Sequence, residues 1–336
     1  MKPGSAWIAL LANTFHSLIR TKFTRAGLGD NMGIVVVGSV ALDSVKTPSG
    51  IRDEVLGGAA TYFSVAASYF TDVSVVAVVG EDFPEEHMAF LQNKGIDTAG
   101  LERKPGKTFR WKGEYSLNLN DCKTLDTQLN VFADFSPRLL NSQCATEYLF
   151  LGNIDPTLQR SVLEQVNRPR LIACDTMNYW IENTRDALLK TISMIDLLVI
   201  NDSEAKQLSG EANIIQAARK VIGMGPKILV VKRGEYGALL FNAKSVFSVP
   251  ALLMEEVLDP TGAGDSFAGG MMGYLAASGS SDDAALRKAV VFGSVMASFN
   301  VMDFGPKRLG SLTFTEIAAR YREFYRLAHF DDIEHD

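Results

Sequence analysis

The feature that most constrains the fold is a series of short, unbroken apolar runs: Ile34–Val37, Val73–Val79, Tyr148–Leu151, Leu171–Ala173, Leu197–Ile200 and Ile228–Val231. None alternates apolar with polar residues, as a strand with one wet face would. Continuous runs of this length suit strands buried on both faces, the condition inside a parallel sheet. Between many of them lie stretches that read as helices: Ala59–Phe70, Glu85–Lys94, Ser203–Leu208 and Ile214–Ile222. The last third reads as helix over Gly264–Ala277, Asp283–Asn300 and Thr315–Ala328. Strands alternating with helices predict a doubly wound α/β structure, a central mostly parallel sheet flanked by helices. One segment breaks the rhythm. Thr108–Tyr115 alternates in period two and runs into polar residues through Asp121. It predicts a hairpin with one wet face around residues 108–120, either a small β-lid or an ordinary solvent-facing edge hairpin.

Composition narrows the class further. A chain of 336 residues fits two ordinary domains or one large α/β unit, and no linker, repeat or low-complexity tract divides it. Residues 32–330 are therefore read as one domain, with 331–336 as a tail. Net charge is −6, the wrong sign for a dedicated nucleic-acid binder. No apolar run approaches the roughly 18 residues that span a bilayer. Three cysteines, Cys122, Cys144 and Cys174, have no CxxC spacing and an odd count, which fits a reducing, cytoplasmic location better than a disulfide framework or structural zinc. Of four histidines only His87 lies in the body of the chain, so a histidine base or histidine-rich metal site has little to draw on. Residues 1–31 hold Lys2, Arg20, Lys22 and Arg25 against the single acid Asp30. They read either as an organellar-type leader or as residues ahead of a start at Met32, and are expected to stand outside the fold.

Two phosphate-binding fingerprints fail on inspection. Gly106-Lys107-Thr108 ends like a P-loop, but Leu101 stands where its first glycine belongs and a strand follows instead of a helix. Gly262-Ala263-Gly264 opens a GxGxxG that Phe267 interrupts. A hydrolase reading also arises: Gly264-Asp265-Ser266 resembles the block of GDS-type esterases, with Ser266 as nucleophile and Asp332 and His335 as its partners. That base would sit one residue from the chain end, a poor place for a positioned group.

The most informative stretch is Leu258–Gly270, LDPTGAGDSFAGG. It is glycine-rich and then turns into a helix. Small residues Gly262, Ala263 and Gly264 let backbone N–H groups converge at the helix start, where unsatisfied donors and the helix dipole make an anion hole. Asp265 stands in the first turn beside it. An acid next to an anion hole is what phosphoryl transfer to a hydroxyl requires: the donors neutralise the phosphoryl charge and the acid takes the hydroxyl proton. The helix dipole would keep Asp265 ionised at neutral pH and weakly basic. A bare capping acid is the simpler alternative for an isolated GxGD.

The whole string resembles the C-terminal [DN]xTGAGDxF signature of the PfkB/ribokinase carbohydrate kinases. Further blocks follow that family's order: Gly57-Gly58 ahead of a helix, Val78–Asp82, Lys94–Asp97, the NxxE of Asn201–Glu204, and Val231–Gly237 as a nucleotide loop. The resemblance spans about Met32 to Leu327. It implies a ribokinase-like fold with a β-lid, ATP and Mg²⁺ as cofactors, and transfer of phosphate to a hydroxyl of a small metabolite. It implies Asp265 as base and residues 262–264 as anion hole. Asn201, Lys232, Gly234 and Gly237 would border the nucleotide, and Glu204 would hold Mg²⁺ through water. Asp43, Gly57, Gly58, Tyr62 and Asn153 would face the acceptor, and Asp259 could organise a monovalent cation. A helix N-cap and first-turn acid is an equally simple role for Asn201 and Glu204, and a hairpin turn for 232–237. The ribose-contacting asparagine of ribokinases proper is replaced here by Tyr62, which with Phe109 and Trp111 offers aromatic faces for a sugar or a base. The expected acceptor is a sugar first and a nucleoside second, with no nucleic-acid or membrane partner; a homodimer through the lid is an assembly the resemblance admits. A catalytically silent, ligand-binding relative would have no use for Asp265, the anion hole and NxxE together.

Overall fold

The computed structural model describes residues 33–120 and 122–330. The expectations for residues 1–31 and for the tail, Asp332 and His335 included, lie outside the described residues.

Thirteen strands are found among those residues: β1 (Ile34–Val37), β2 (Ala41–Thr47), β3 (Gly50–Gly57), β4 (Val73–Gly80), β5 (Ile96–Lys104), β6 (Arg110–Tyr115), β7 (Cys122–Gln128), β8 (Tyr148–Leu151), β9 (Leu171–Asp175), β10 (Leu197–Asn201), β11 (Ile228–Lys232), β12 (Ala238–Phe241) and β13 (Val246–Val249). Nine form one sheet in the order β13-β12-β11-β10-β9-β8-β1-β4-β5. Its pairs are parallel from β5 through β11, and antiparallel where β12 and β13 close one edge. The unbroken apolar runs do what two-sided burial demands. Ile34 and Val36 enter one apolar core, Val35 and Val37 the other, on the opposite face of the sheet. This is the mostly parallel, helix-flanked sheet that the sequence predicts.

The expected helices are present with boundaries moved by a few residues, as Ala59–Ala67, Glu85–Asn93, Asp202–Ser209, Ile214–Ile222, Ala263–Ser278, Asp283–Asn300 and Phe314–Ala328. The helix Ala263–Ser278 buries Phe267, Ala268, Met271, Met272 and Leu275. Its glycines bring neighbours unusually near. A Cβ at Gly273 would lie 2.9 Å from Ala67 Cα, and one at Gly270 would lie 2.6 Å from Met296 Cγ. Close packing on both sides fixes where this helix begins, and its beginning is the signature turn.

The lid is larger than expected. It is a four-stranded sheet in the order β3-β2-β6-β7, with β6 and β7 antiparallel and β2 alongside β6 in parallel. The hairpin around residues 108–120 is therefore only half of it, and its second strand runs on to Gln128. β2 and β3 escape a periodicity reading because their outward residues are polar and exposed, Arg52, Asp53 and Glu54 among them.

Candidate active site

In the main sheet the chain runs outward in opposite directions from the adjacent strands β1 and β8. In such sheets ligands bind beyond the carboxyl ends of the strands at that switch point. Residues at or just past those ends here are Ser39, Asn153, Asp175, Asn201 and Lys232. The N-terminus of the helix Ala263–Ser278 and the lid complete the surroundings.

The signature turn is tightly specified. Gly262 sits at φ 74°, a left-handed conformation that favours glycine, and a Cβ there would overlap the Tyr62 ring. Asn300, buried, donates from Nδ2 to the Thr261 carbonyl (2.7 Å) and accepts at Oδ1 from Ser266 Oγ (3.1 Å). Asp259 accepts the Thr261 N–H at Oδ1 (2.8 Å), while its buried Oδ2 makes no hydrogen bond among the described residues. One part of the expected anion hole is spent: the Ala263 N–H donates to the Pro260 carbonyl at 3.1 Å. Gly264 and Asp265 follow in the first helical turn, where an α-helix offers its N–H groups no acceptor of its own.

Charge concentrates around that turn. Lys232 Nζ lies 3.5 Å from Asp175 Oδ2, both side chains largely buried. A Cβ at Gly264 would stand 2.9 Å from the same Nζ. The charges of Asp175, Glu204 and Asp265 overcome burial and push the Lys232 pKa up, keeping it an ammonium. Asp265 is pushed up to about 7, first by burial and then by the Asp175 charge, with Lys232 opposing. This corrects the expectation of a fully ionised, weakly basic carboxylate: desolvation and Asp175 outweigh the helix dipole. The consequence has a definite sign. Below its pKa Asp265 is protonated and cannot accept the hydroxyl proton. A profile of kcat/KM for the acceptor should therefore fall about tenfold per unit below about pH 7 and level off above it. A flat profile from about pH 5 to 9 would remove Asp265 from proton transfer.

The lid presents a second acid. In β2, Asp43 pairs with Trp111 of β6, and strand alternation puts Asp43, Val45 and Thr47 on one face with Trp111, Gly113 and Tyr115. That face meets the signature segment: Thr47 Oγ1 donates to the Leu258 carbonyl (2.8 Å), and the Tyr115 hydroxyl lies 3.3 Å from Thr261 Oγ1. Asp43 is buried and accepts the Gly58 N–H at 3.3 Å. A Cβ on Gly57 would overlap its carboxylate, so the glycine pair makes room for the acid. Burial lifts the Asp43 pKa to about 7, and the charges of Asp259 and Asp265 add to the rise.

Other expected residues lie elsewhere or are already engaged. Tyr62 is 1% exposed, its ring covered by Gly262, so its face is not open for stacking as the sequence suggested. Phe109 stacks on Phe132 with centroids 5.2 Å apart. Trp111 is the aromatic on the inner lid face; its indole lies over Gly113, where a Cβ would overlap it, and its Nε1–H donates to Thr124 Oγ1 (3.2 Å). The Asn153 carboxamide is taken up by Met177 Sδ (3.2 Å) and the Trp180 indole N–H (2.9 Å).

Asn201 and Glu204 form a reciprocal cap. Asn201 Oδ1 accepts the Glu204 N–H and Glu204 Oε2 accepts the Asn201 N–H, each at 2.8 Å. Glu204 is buried and its pKa rises to about 7 through that burial. Capping and facing the phosphates are compatible, since the cap points Glu204 back to the strand end. Lys232 starts the turn between antiparallel β11 and β12, so the hairpin is real. Gly234 and Gly237 bound its 3₁₀ turn, and a Cβ on Gly234 would overlap the carboxamide of Asn120 in the lid. No group of three or more His, Cys, Asp or Glu among the described residues could hold a metal ion alone. Mg²⁺ suits such a site, because it retains several waters and takes phosphate oxygens as ligands.

Asp175, Tyr115 and Asn300 were missed from the sequence. For Asp175 the signal was there: the run Leu171–Ala173 continues to an acid at a strand's carboxyl end, where ligands of such sheets bind. Ser266 is fully buried and bonded to Asn300, so the esterase nucleophile has no access to a substrate.

Comparison with known proteins gives the family. The chain is 30% identical to the cytidine kinase of Thermococcus kodakarensis over 254 residues, 72% of this chain and 88% of that protein. It is 27% identical to the 2-dehydro-3-deoxygluconokinase of Dickeya dadantii over 258 residues, 64% and 77% of the two chains. The structure of the Methanocaldococcus jannaschii nucleoside kinase superposes with a TM-score of 0.71 at 21% identity, covering 88% of this chain and all of that one. No helix among the described residues is long and apolar enough to cross a membrane. Residues 32–308 match the pfkB family carbohydrate kinase model, and the chain belongs to that family.

Proposed function

We propose that the chain transfers the γ-phosphoryl group of ATP to a hydroxyl of a neutral, polyhydroxylated molecule, with a nucleoside ahead of a free sugar. The observation that carries this reading is the placement of Asp265 in the first turn of a helix whose signature segment is met by the lid face that carries Asp43. Asp43 accepts hydrogen bonds from acceptor hydroxyls, and Asp265 takes the proton of the one that attacks. The N–H groups of Gly264 and Asp265 draw charge from the phosphoryl oxygens. Asn201 and the Gly234–Gly237 turn border the nucleotide. Glu204 would hold Mg²⁺ through water, and the ion would supply neutralisation of phosphate charge. The unpartnered Oδ2 of Asp259 suits a monovalent cation.

An acceptor end built around Asp43 disfavours an anionic substrate, which argues against the sugar acid named for the Dickeya relative. The order expected from sequence, sugar before nucleoside, is reversed here for two reasons. Trp111 supplies a flat face beside Asp43, as a nucleobase would use, and the Thermococcus relative is named a cytidine kinase. A panel of nucleosides, neutral sugars and sugar acids, followed by ADP release, tests the class. Trp111→Ala should raise the nucleoside KM roughly 2–10-fold, the loss of one aromatic stack, and leave the KM for ATP in place. Turnover of free sugars alone, indifferent to Trp111, would restore the sugar reading.

A further inference from the structure

Lys232 is set apart from the rest of the turn it begins. Arg233, Glu235 and Tyr236 face outward to differing degrees, whereas the Lys232 side chain is 17% exposed. It pairs in register with Asn201 and points inward, with Nζ 3.5 Å from Asp175 Oδ2. On its other side it touches the helix start, since a Cβ on Gly264 would be only 2.9 Å from Nζ. A side chain at Gly264 would displace the ammonium. Two buried acids, Asp175 and Glu204, and the half-buried Asp265 surround this one cation, so its charge is firmly kept. Burying an ammonium costs several kcal/mol unless its partners compensate, and an ion pair of this kind is weak grounds for stability alone. Its location supplies another reason. The first turn of a helix gathers negative phosphoryl oxygens, and Lys232 is the cation already in contact with it.

We infer that Lys232 is a catalytic residue that contacts the transferred phosphoryl group at Gly264, and that Asp175 is the residue that positions it. The inference rests on the kinase reading and deepens it by moving Lys232 from the border of the nucleotide to the reacting phosphorus. In the step, a bond forms between the acceptor oxygen and the γ-phosphorus. The bond from that phosphorus to the β–γ bridging oxygen breaks, and its electron pair leaves with ADP. The hydroxyl proton goes to Asp265. Lys232 keeps its own protons throughout and supplies charge to oxygens that carry more of it as the group moves.

The test compares two nucleotides by calorimetric titration in Mg²⁺: ADP, and the non-hydrolysable β,γ-imido analogue of ATP. In Lys232→Met the affinity for the analogue should drop roughly 10–100-fold while that for ADP stays within about twofold. In turnover, kcat should drop about 10²–10³-fold with the acceptor KM unchanged. Asp175→Asn should lose part of the same preference for the analogue and spare ADP. If Lys232→Met does not fold, Lys232→Gln carries the same comparison, with ADP binding as the check on folding. An equal loss for both nucleotides, or no loss for either, would overturn the inference, because the lysine would then serve the nucleotide seat or the fold. A wild-type protein that prefers the analogue through Lys232 yet phosphorylates no member of the panel would sink the acceptor reading and leave the phosphoryl contact standing. A wild-type protein that binds neither nucleotide would sink both.

Discussion

Replacing Asp265 with asparagine is expected to lower kcat by about 10²–10⁴ while ADP affinity stays within a few-fold, the usual cost of losing a positioned base. Asparagine is nearly isosteric, so the first turn of the helix should keep its shape. The folded protein should even gain where the carboxylate is a burden. Its pKa of about 7 lies well above the ordinary carboxylate value, because burial and Asp175 both resist ionisation. Ser266→Ala is the matched control. Its hydroxyl is buried against Asn300, so the substitution costs roughly 1 kcal/mol of stability and leaves most turnover intact. Loss of activity in Ser266→Ala with retention in Asp265→Asn would reverse the roles and return the esterase to consideration.

The second large effect belongs to Asp43. Asp43→Asn is expected to raise the acceptor KM roughly 10–100-fold, the value of a buried charged acceptor of hydroxyl hydrogen bonds, and to change the ATP KM little. The same substitution should stabilise the ligand-free protein at alkaline pH. The sign follows from linkage. Asp43 has a pKa near 7 when folded and about 3.9 when unfolded, so between those values the native state binds the extra proton. Stability attributable to this group therefore falls as pH rises through that window, and above pH 7 the native state holds a desolvated carboxylate. Asparagine removes that burden. Melting of the two proteins at pH 8 should differ in favour of the variant by roughly 2–4 °C for each kcal/mol recovered, and the gap should narrow at pH 5 and close only below about pH 4. An unchanged acceptor KM would take Asp43 out of the acceptor site, and a variant less stable at pH 8 would show its carboxylate to be structurally required.

How much of this was legible in the sequence depends on whether a residue acts through its own neighbours in the chain. Strands β1, β4, β8, β9, β10 and β11 announced themselves because two-sided burial leaves an unbroken apolar run. The signature turn did so because Gly262, Ala263, Gly264 and Asp265 make their site from consecutive backbone. The capping role of Asn201 and Glu204 is likewise local. What was not legible depends on strands far apart in sequence meeting at one edge. Asp175 matters through Lys232, 57 residues on, and Asn300 through Thr261 and Ser266. Tyr62 looked like an open aromatic because its cover, Gly262, comes two hundred residues later, a contact no local pattern encodes. Trp111 differs in that its neighbour, Gly113, lies two residues away on the same strand face, within reach of a local reading. The pKa of Asp265 was misjudged for the same reason as Tyr62. Helix position is local and visible, whereas burial and the Asp175 charge are tertiary.

The most direct test of the central claim is mass spectrometry of the acceptor after incubation with Mg²⁺ and ATP, run in parallel for wild type and Asp265→Asn. The expected result is a nucleoside heavier by one phosphoryl group with the wild type, formed in step with ADP, and almost none with the variant under conditions where both bind ADP equally. Equal amounts of phosphorylated product from the two proteins would contradict Asp265 as the base. ADP release without any phosphorylated acceptor would contradict phosphoryl transfer to a hydroxylated metabolite.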